Sequence, residues 1–223
     1  MPVYNEVATL AAAVERVMST ELPIPIELIV VDDGSTDGSR DVLRDLSASH
    51  DLKVLQHAKN RGKGAAIRTA LAEASGDVFT VMDADLECDP SDYRHLLEPI
   101  LSGQASVTYG TRFFGPHNAY SFWYVIGHKF LALWTSLLFN TWLSDVYTCF
   151  KMAETEAWRS LDLRSDGFEI EAEVTAKFLR SHRRIHEVPI DYWPRTRTDG
   201  KKIRWTDGLL ALFVLTRVRF LGR

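Results

Sequence analysis

Two cysteines in 223 residues, Cys88 and Cys149, stand far apart and in no metal-ligand spacing. They offer no disulfide framework, and their scarcity fits a reducing compartment. An excess of positive charge is also missing. The 26 Lys+Arg against 30 Asp+Glu leave a net charge of −4, which argues against a general nucleic-acid coat. No uninterrupted apolar run reaches the roughly 20 residues that cross a bilayer. The best candidate, 119–143, carries His128 and Lys129. No secretory signal precedes the first motif, and no repeat or low-complexity linker divides the chain. What is present, 46% hydrophobic and 25% charged residues, has a normal globular balance. The expectation is one domain over 1–223, cytoplasmic and peripheral on a membrane face.

Elements alternate along the first half. Apolar spacing predicts a helix over 7–18, ended by Pro23 and Pro25. The β-branched run 26–31 predicts a strand, followed by turn formers Asp32 to Gly38 and a helix over 39–46. A strand at 51–56, a helix at 65–74, a strand at 77–82, a helix at 90–101 and a strand at 106–109 follow. Such alternation predicts a parallel sheet covered on both faces, with ligands beyond the carboxyl ends of its strands. The second half changes character. Residues 120–143 are rich in Trp, Phe, Tyr and Leu, and serve either as core or as an interfacial helix. A helix over 168–180, a strand over 184–190, a basic turn-rich stretch 194–204 and an amphipathic segment 206–223 complete the pattern.

Polar motifs follow the strands. Asp83, Asp85 and Glu87 are three carboxylates at alternate positions past a strand end. They can converge on one hard cation, magnesium or manganese, that leaves positions open for phosphate. The alternative is a solvated acidic turn. Asp32 and Asp33 can accept from a base N–H and a ribose hydroxyl, while Ser35, Thr36 and Asp37 are good caps for the following helix; the two readings are compatible, with Asp37 capping and Asp32 or Asp33 binding. Asn60 to Gly64 reads either as a phosphate loop, with Arg61 and Lys63 as cations, or as a turn opening a helix. It lacks the spacing of a nucleotide-hydrolysing P-loop. Arg112 follows a strand and is a candidate phosphate partner. Arg195, Arg197, Lys201, Lys202 and Arg204 need anionic company: a substrate phosphate, lipid headgroups or RNA. His182 and His186 straddle a strand start and lack a glutamate partner, so no zinc role is expected.

Together these strings resemble the family 2 glycosyltransferases, in their polyprenyl-phosphate, dolichol-phosphate mannose synthase-like branch. The matching stretches are Pro2 to Glu6, Val31 to Gly38, Asn60 to Ala66, Asp83 to Glu87, Gly110 to Arg112, Asp145 to Lys151, Gly167 to Glu169, Glu187 to Ile190 and Gly200 to Ile203. The resemblance implies a GT-A fold, a Rossmann-like αβα sandwich with a mostly parallel sheet. Pro2, Tyr4, Glu6, Asp32 and Asp33 would line the nucleoside pocket. Asp83-Ala84-Asp85 would grip the donor and the metal, with Glu87 as a further ligand. Arg112, Arg195, Arg197, Lys201 and Lys202 would face an acceptor phosphate. Relatives carry a full strand before Pro2, so the first strand is expected to be truncated and added upstream residues to raise solubility and activity. Cys149 stands where the family often has glycine. Relatives also carry membrane helices after this domain, so 117–143 and 194–223 are the expected surface for lipid and acceptor.

The implied reaction is inverting transfer of mannose or glucose from GDP-mannose or UDP-glucose to dolichyl or undecaprenyl phosphate. Asp85 and Arg112 are its expected catalytic residues. Asp145 is the candidate base should the acceptor be a sugar hydroxyl instead, as in polysaccharide synthesis. The Gln-x-x-Arg-Trp string of processive synthases is absent. Two rivals remain: a sugar-phosphate nucleotidyltransferase, which needs a glycine- and arginine-rich loop where Asn5-Glu6-Val7 stands, and a non-catalytic membrane scaffold of the same fold.

Overall fold

The computed structural model describes residues 1–117, 121–195, 202 and 205–222. Its sheet has two parts. In the first, β1 (Pro2–Val3), β2 (Leu28–Asp32) and β3 (Leu52–Gln56) run parallel with β2 at the centre. Strand β2 is buried along its whole length, as a central parallel strand must be. Its side chains alternate: Leu28 and Val30 pack with α1 (Leu10–Met18) and α2 (Ser39–Ser49), whereas Ile29 and Val31 pack with α3 (Lys63–Glu73). Strand β1 has only two residues. The Met1 carbonyl accepts from Val31, and the Met1 nitrogen donates to Ile29 O at 2.7 Å.

The second part is where the mostly parallel sheet becomes mixed. Its order is β4 (Val78–Phe79), β6 (Lys151–Glu154), β5 (Val107–Thr111), β7 (Ile185–Pro189). Strand β6 is antiparallel to both neighbours, while β5 and β7 run parallel. The sequence reading leaves β6 out, and with it the short helix α6 (Thr155–Arg159). The strand predicted over 77–82 keeps only two ladder residues, because β6 pairs with it at Val78 and Phe79 alone. A 3-10 turn (Pro90–Asp92) leads into α4 (Tyr93–Leu101).

Three further helices build the other end. These are α5 (Phe122–Phe139), α7 (Ile170–Arg180) and α8 (Trp205–Leu221). They share a core of Leu131, Ala132, Ala172, Ala176, Ala211 and Leu215 with their neighbours. The C-terminal helix is not amphipathic as predicted. One face (Ala211, Val214, Leu215, Val218) is buried, and the other is apolar and exposed. Its arginines serve the protein: Arg219 donates to Leu138 O at 2.7 Å, covering a carbonyl at the end of α5.

Candidate active site

The loops after β1, β2 and β4 meet. Gly34, at φ +74°, lies so close to Lys59 and Asn60 that a Cβ would strike their backbone, which holds the Asp32 loop against the Asn60 loop. Asp32 Oδ1 accepts from Ser35 N at 2.9 Å and Oδ2 from Arg40 Nε at 3.0 Å. Asp33 accepts from His57 Nδ1 (2.6 Å), Arg61 N (2.9 Å) and Gly62 N (2.7 Å). Both carboxylates are buried. Both hold their own loops together, while Asp37 Oδ1 accepts from Ser39 N and Oγ at the start of α2.

The phosphate-loop reading of Asn60 to Gly64 fares similarly. The amides of Arg61 and Gly62 go to Asp33, and those of Gly64 and Ala65 to Asp166 O. Gly62 and Gly64 are needed because the backbone of Ser165 and Asp166 lies against them. The start of α3 is therefore satisfied by protein, not held open for an anion. Lys63 turns inward, with its ammonium 2.8 Å from Asp83 Oδ2 and 2.9 Å from Glu171 Oε1. Burial disfavours that charge, but Asp83 and Glu171 override it and raise its pKa well above the usual lysine value. Glu171 also pairs with Lys151, which is fully buried. Burial lowers the Lys151 pKa against the pull of Glu171. This buried chain from Asp83 through Lys63 and Glu171 to Lys151 is missed by sequence reasoning, because its members are scattered over four elements.

The acidic turn is shaped by Leu86, which adopts φ +62°. A non-glycine residue there costs about 1 kcal/mol. Ala84 points into the core, so any contact it makes with a donor is through its backbone. Asp85 sits beside Arg195 Nη2 at 3.4 Å. Burial, then the charges of Asp83 and Glu87, push the Asp85 carboxyl up to about 7. Glu87 does not join a ligand set. Its Oε2 accepts from Tyr192 OH at 2.5 Å and its Oε1 from Arg195 N at 2.7 Å. Among the described residues no group of three or more His, Cys, Asp or Glu side chains is gathered for a metal. Asp83 and Asp85, two carboxylates in one acidic turn, fit the oxygen ligands a hard dication prefers, while Glu87 is engaged by Tyr192 and Arg195.

Cations close this side. Arg195 grips Glu6 in a bidentate pair at 3.0 and 3.1 Å. Lys202 reaches Glu6 at 2.7 Å, hydrogen-bonds Tyr4 O and lies 5.7 Å from the Tyr4 ring centre. Burial alone would raise the Glu6 pKa, but Arg195 and Lys202 hold it below the usual range. Pro2 is half-buried at the same edge. Arg197, Lys201 and Arg204 lie outside the described residues.

A second cluster adjoins the first. Arg112 and Asp145, both buried, form a bidentate pair: Nε to Oδ2 at 2.7 Å and Nη2 to Oδ1 at 2.8 Å. Burial would raise the Asp145 pKa, yet Arg112 holds it below the usual carboxylate value. Its oxygens already serve Arg112, which weighs against Asp145 as the base that a sugar-hydroxyl acceptor would need. His128 Nδ1 lies 3.4 Å from Arg112 Nη2, and Tyr124 stacks on His128 at 4.2 Å. Tyr192 covers Arg112 at 4.9 Å while bonding Glu87, so it touches both clusters. Neither His128 nor Tyr192 stands in a legible motif.

This arrangement, carboxylates past strand ends with a buried arginine beside them, sits on an α/β fold of the GT-A glycosyltransferase class. Glucosyl-3-phosphoglycerate synthase of Mycobacterium tuberculosis, solved with Mn2+ and UDP-glucose, superposes at TM-score 0.70, covering 98% of this chain and 76% of that one at 20% identity. Residues 1–155 match the family described as Glycosyl transferase family 2, and the chain belongs to that family. It is 28% identical over 205 residues to a dolichol-phosphate mannosyltransferase of Pyrococcus furiosus, covering 90% of this chain and 57% of that protein. It is 38% identical over 107 residues to an undecaprenyl-phosphate 4-deoxy-4-formamido-L-arabinose transferase of Aeromonas hydrophila, covering 46% of this chain and 33% of that protein. The chain spans about half the length of the curated relatives it matches.

Proposed function

We propose that this chain is the catalytic domain of an inverting hexosyltransferase that moves mannose or glucose from a GDP or UDP sugar to a polyprenyl phosphate. One observation carries the lipid part. Helix α5 brings His128 to Arg112 on one face and exposes Phe122, Trp123, Ile126, Phe130, Leu133 and Leu137 on another. A phosphate held at Arg112 would have its hydrocarbon tail beside an apolar stripe already open to it. The names of the two curated relatives, both polyprenyl-phosphate sugar transferases, point the same way.

In this reading the nucleoside lies against Pro2, Tyr4, Glu6 and the Asp32–Asp33 loop, and the diphosphate against Asp83-Ala84-Asp85. Asp83 and Asp85 would hold a magnesium or manganese ion, which stabilises negative charge on the departing diphosphate when bound. Lys63, paired with Asp83, orients that carboxylate and adds positive charge behind it. Arg112, fixed by Asp145, would place the acceptor phosphate for in-line attack on the anomeric carbon. A phosphate is already anionic at neutral pH and needs no base. The state of Asp145 supports that choice over a sugar-hydroxyl acceptor. Arg195 and Lys202 would close over the diphosphate once it displaces their carboxylate partner Glu6, and Arg197 and Lys201 belong to the same basic stretch of sequence. The membrane-facing parts are 117–143 and 194–223, with the protein peripheral on a cytoplasmic membrane face.

The test is a donor screen against polyprenyl phosphate, following radiolabelled sugar into the organic phase. Transfer only to a soluble sugar would overturn the lipid acceptor and keep the transferase. Absence of metal-dependent UDP or GDP binding by calorimetry would favour a scaffold.

A further inference from the structure

Sixty-one positions separate Cys88 from Cys149, yet their sulfurs lie 3.7 Å apart. Both thiols are free; Cys88 is buried and Cys149 half-buried. They pack together at the edge of the largest core cluster. Bonding would bring the sulfurs to about 2.05 Å, an approach of ~1.7 Å. The two belong to functionally distinct segments. Cys88 directly follows Glu87 and bridges to Tyr192 across the backbone. Cys149 lies between Asp145 and Lys151, and its carbonyl accepts from Lys151 N at 2.9 Å. Lys63 is close enough to feel the Cys149 sulfur electrostatically. With no third cysteine in the sequence, each thiol has one internal partner.

We propose that Cys88 and Cys149 are a modification site: a reversible internal disulfide, made by a peroxide-class oxidant, that ties the donor loop to the Asp145–Lys151 segment. The more exposed Cys149 sulfur attacks the peroxide O–O bond, becoming a sulfenic acid and releasing one water. The Cys88 sulfur then attacks Cys149, the S–S bond forms, and the hydroxyl leaves as a second water. Two thiols give up two electrons and two protons, and one peroxide becomes two waters. A small thiol such as dithiothreitol reverses the change. Drawing Cys88 toward Cys149 pulls on its neighbour Glu87, and hence on the Tyr192 and Arg195 contacts that frame Asp85. A shift on the order of 1 Å there lowers transfer about tenfold or more.

The experiment is peptide mass mapping of the full chain after titration with hydrogen peroxide. The expected product is a monomer about 2 Da lighter, with Cys88 and Cys149 peptides cross-linked until dithiothreitol is added. A sulfinic Cys149 beside an intact Cys88 thiol, or cross-linked dimers alone, would overturn the site. This readout uses the unmutated protein, so a poorly folding Cys88→Ser does not decide it. The activity arm rests on the transferase reading above and is separable from the mapping. Transfer should fall in the oxidised protein, recover with dithiothreitol, and resist peroxide in Cys149→Ser. Full cross-linking with unchanged transfer would sink the link to the donor loop while leaving the transferase intact.

Discussion

The halves of this molecule treat water in opposite ways. Among the described residues, large exposed hydrophobics number two up to Arg112, Val7 and Leu101, and fifteen beyond it. The first half buries its apolar side chains between sheet and helices and ties its strand-end carboxylates into hydrogen bonds and ion pairs. The second half stacks α5, α7 and α8 on a shared core and leaves apolar stripes uncovered on α5 and α8. Trp123 and Trp205 are 78% and 77% exposed. A stripe of that size is stable where something apolar lies against it, and wasteful in open water. On the proposed reading, that difference would put donor chemistry and surface attachment in separable parts of one chain.

The largest effect that would test the separation is at Asp85. Asp85→Ala should lower transfer about 10²–10³-fold while leaving vesicle co-sedimentation unchanged. A parallel loss of vesicle binding would break the comparison. Next comes Asp145→Asn, which strands a buried Arg112 and should cost about 3 kcal/mol in urea unfolding. The Arg112 pair depresses the folded pKa of Asp145 below the unfolded value of 3.8. Its stabilisation is therefore present above the unfolded pKa and lost as pH falls through the folded one, so variant and wild type should converge in strong acid. Replacing Trp123 and Trp205 together by serine should weaken partition onto phospholipid vesicles about tenfold or more. Folding stability should move by no more than about 0.5 kcal/mol. Intact vesicle binding would show that the stripes face something other than lipid.

The smallest effect sits at the seam. Asp92 Oδ2 accepts from Asp191 N at 2.9 Å, joining the halves. Burial, then the charges of Asp191 and Asp89, push its carboxyl up to about 6 from 3.8. An acid with a raised folded pKa costs stability above that value and nothing below the unfolded one. Asp92→Asn keeps an acceptor and should gain about 1 kcal/mol at pH 8, a gain that vanishes near pH 4. Thermal melts across that range check it.

Much of the first half was legible because hydrophobic period and turn chemistry agree there: the runs at 26–31 and 51–56 became β2 and β3 with ends shifted by a residue or two. Strand β6 was not, since Lys151-Met152-Ala153-Glu154 places a lysine where a buried strand residue belongs. Glu171, twenty positions on, supplies the countercharge that makes that burial tolerable, alongside the Thr148 carbonyl, and no local pattern announces the pair. The same blindness to distant partners affected the site. Glycines at 62 and 64 signalled a close approach, and the approach is real, but the visitor is the chain's own Ser165–Asp166 backbone. Alternate carboxylates at 83, 85 and 87 suggested convergence, whereas Tyr192 and Arg195, a hundred positions away, draw Glu87 aside. For Arg112 the position after a strand did mark a special residue; its buried partner Asp145 became visible only in three dimensions.

Tyr192 carries a consequence in time as well as space. Its hydroxyl is bound to the donor loop and its ring lies on Arg112, so the ring cannot stay put if Glu87 moves. On the proposed reading, filling one pocket would alter the grip of the other, and by linkage the influence would be mutual: whatever factor the first substrate exerts on the second, the second would return to the first. A single phenol would thereby give the two proposed substrates a means of sensing one another before any bond between them exists.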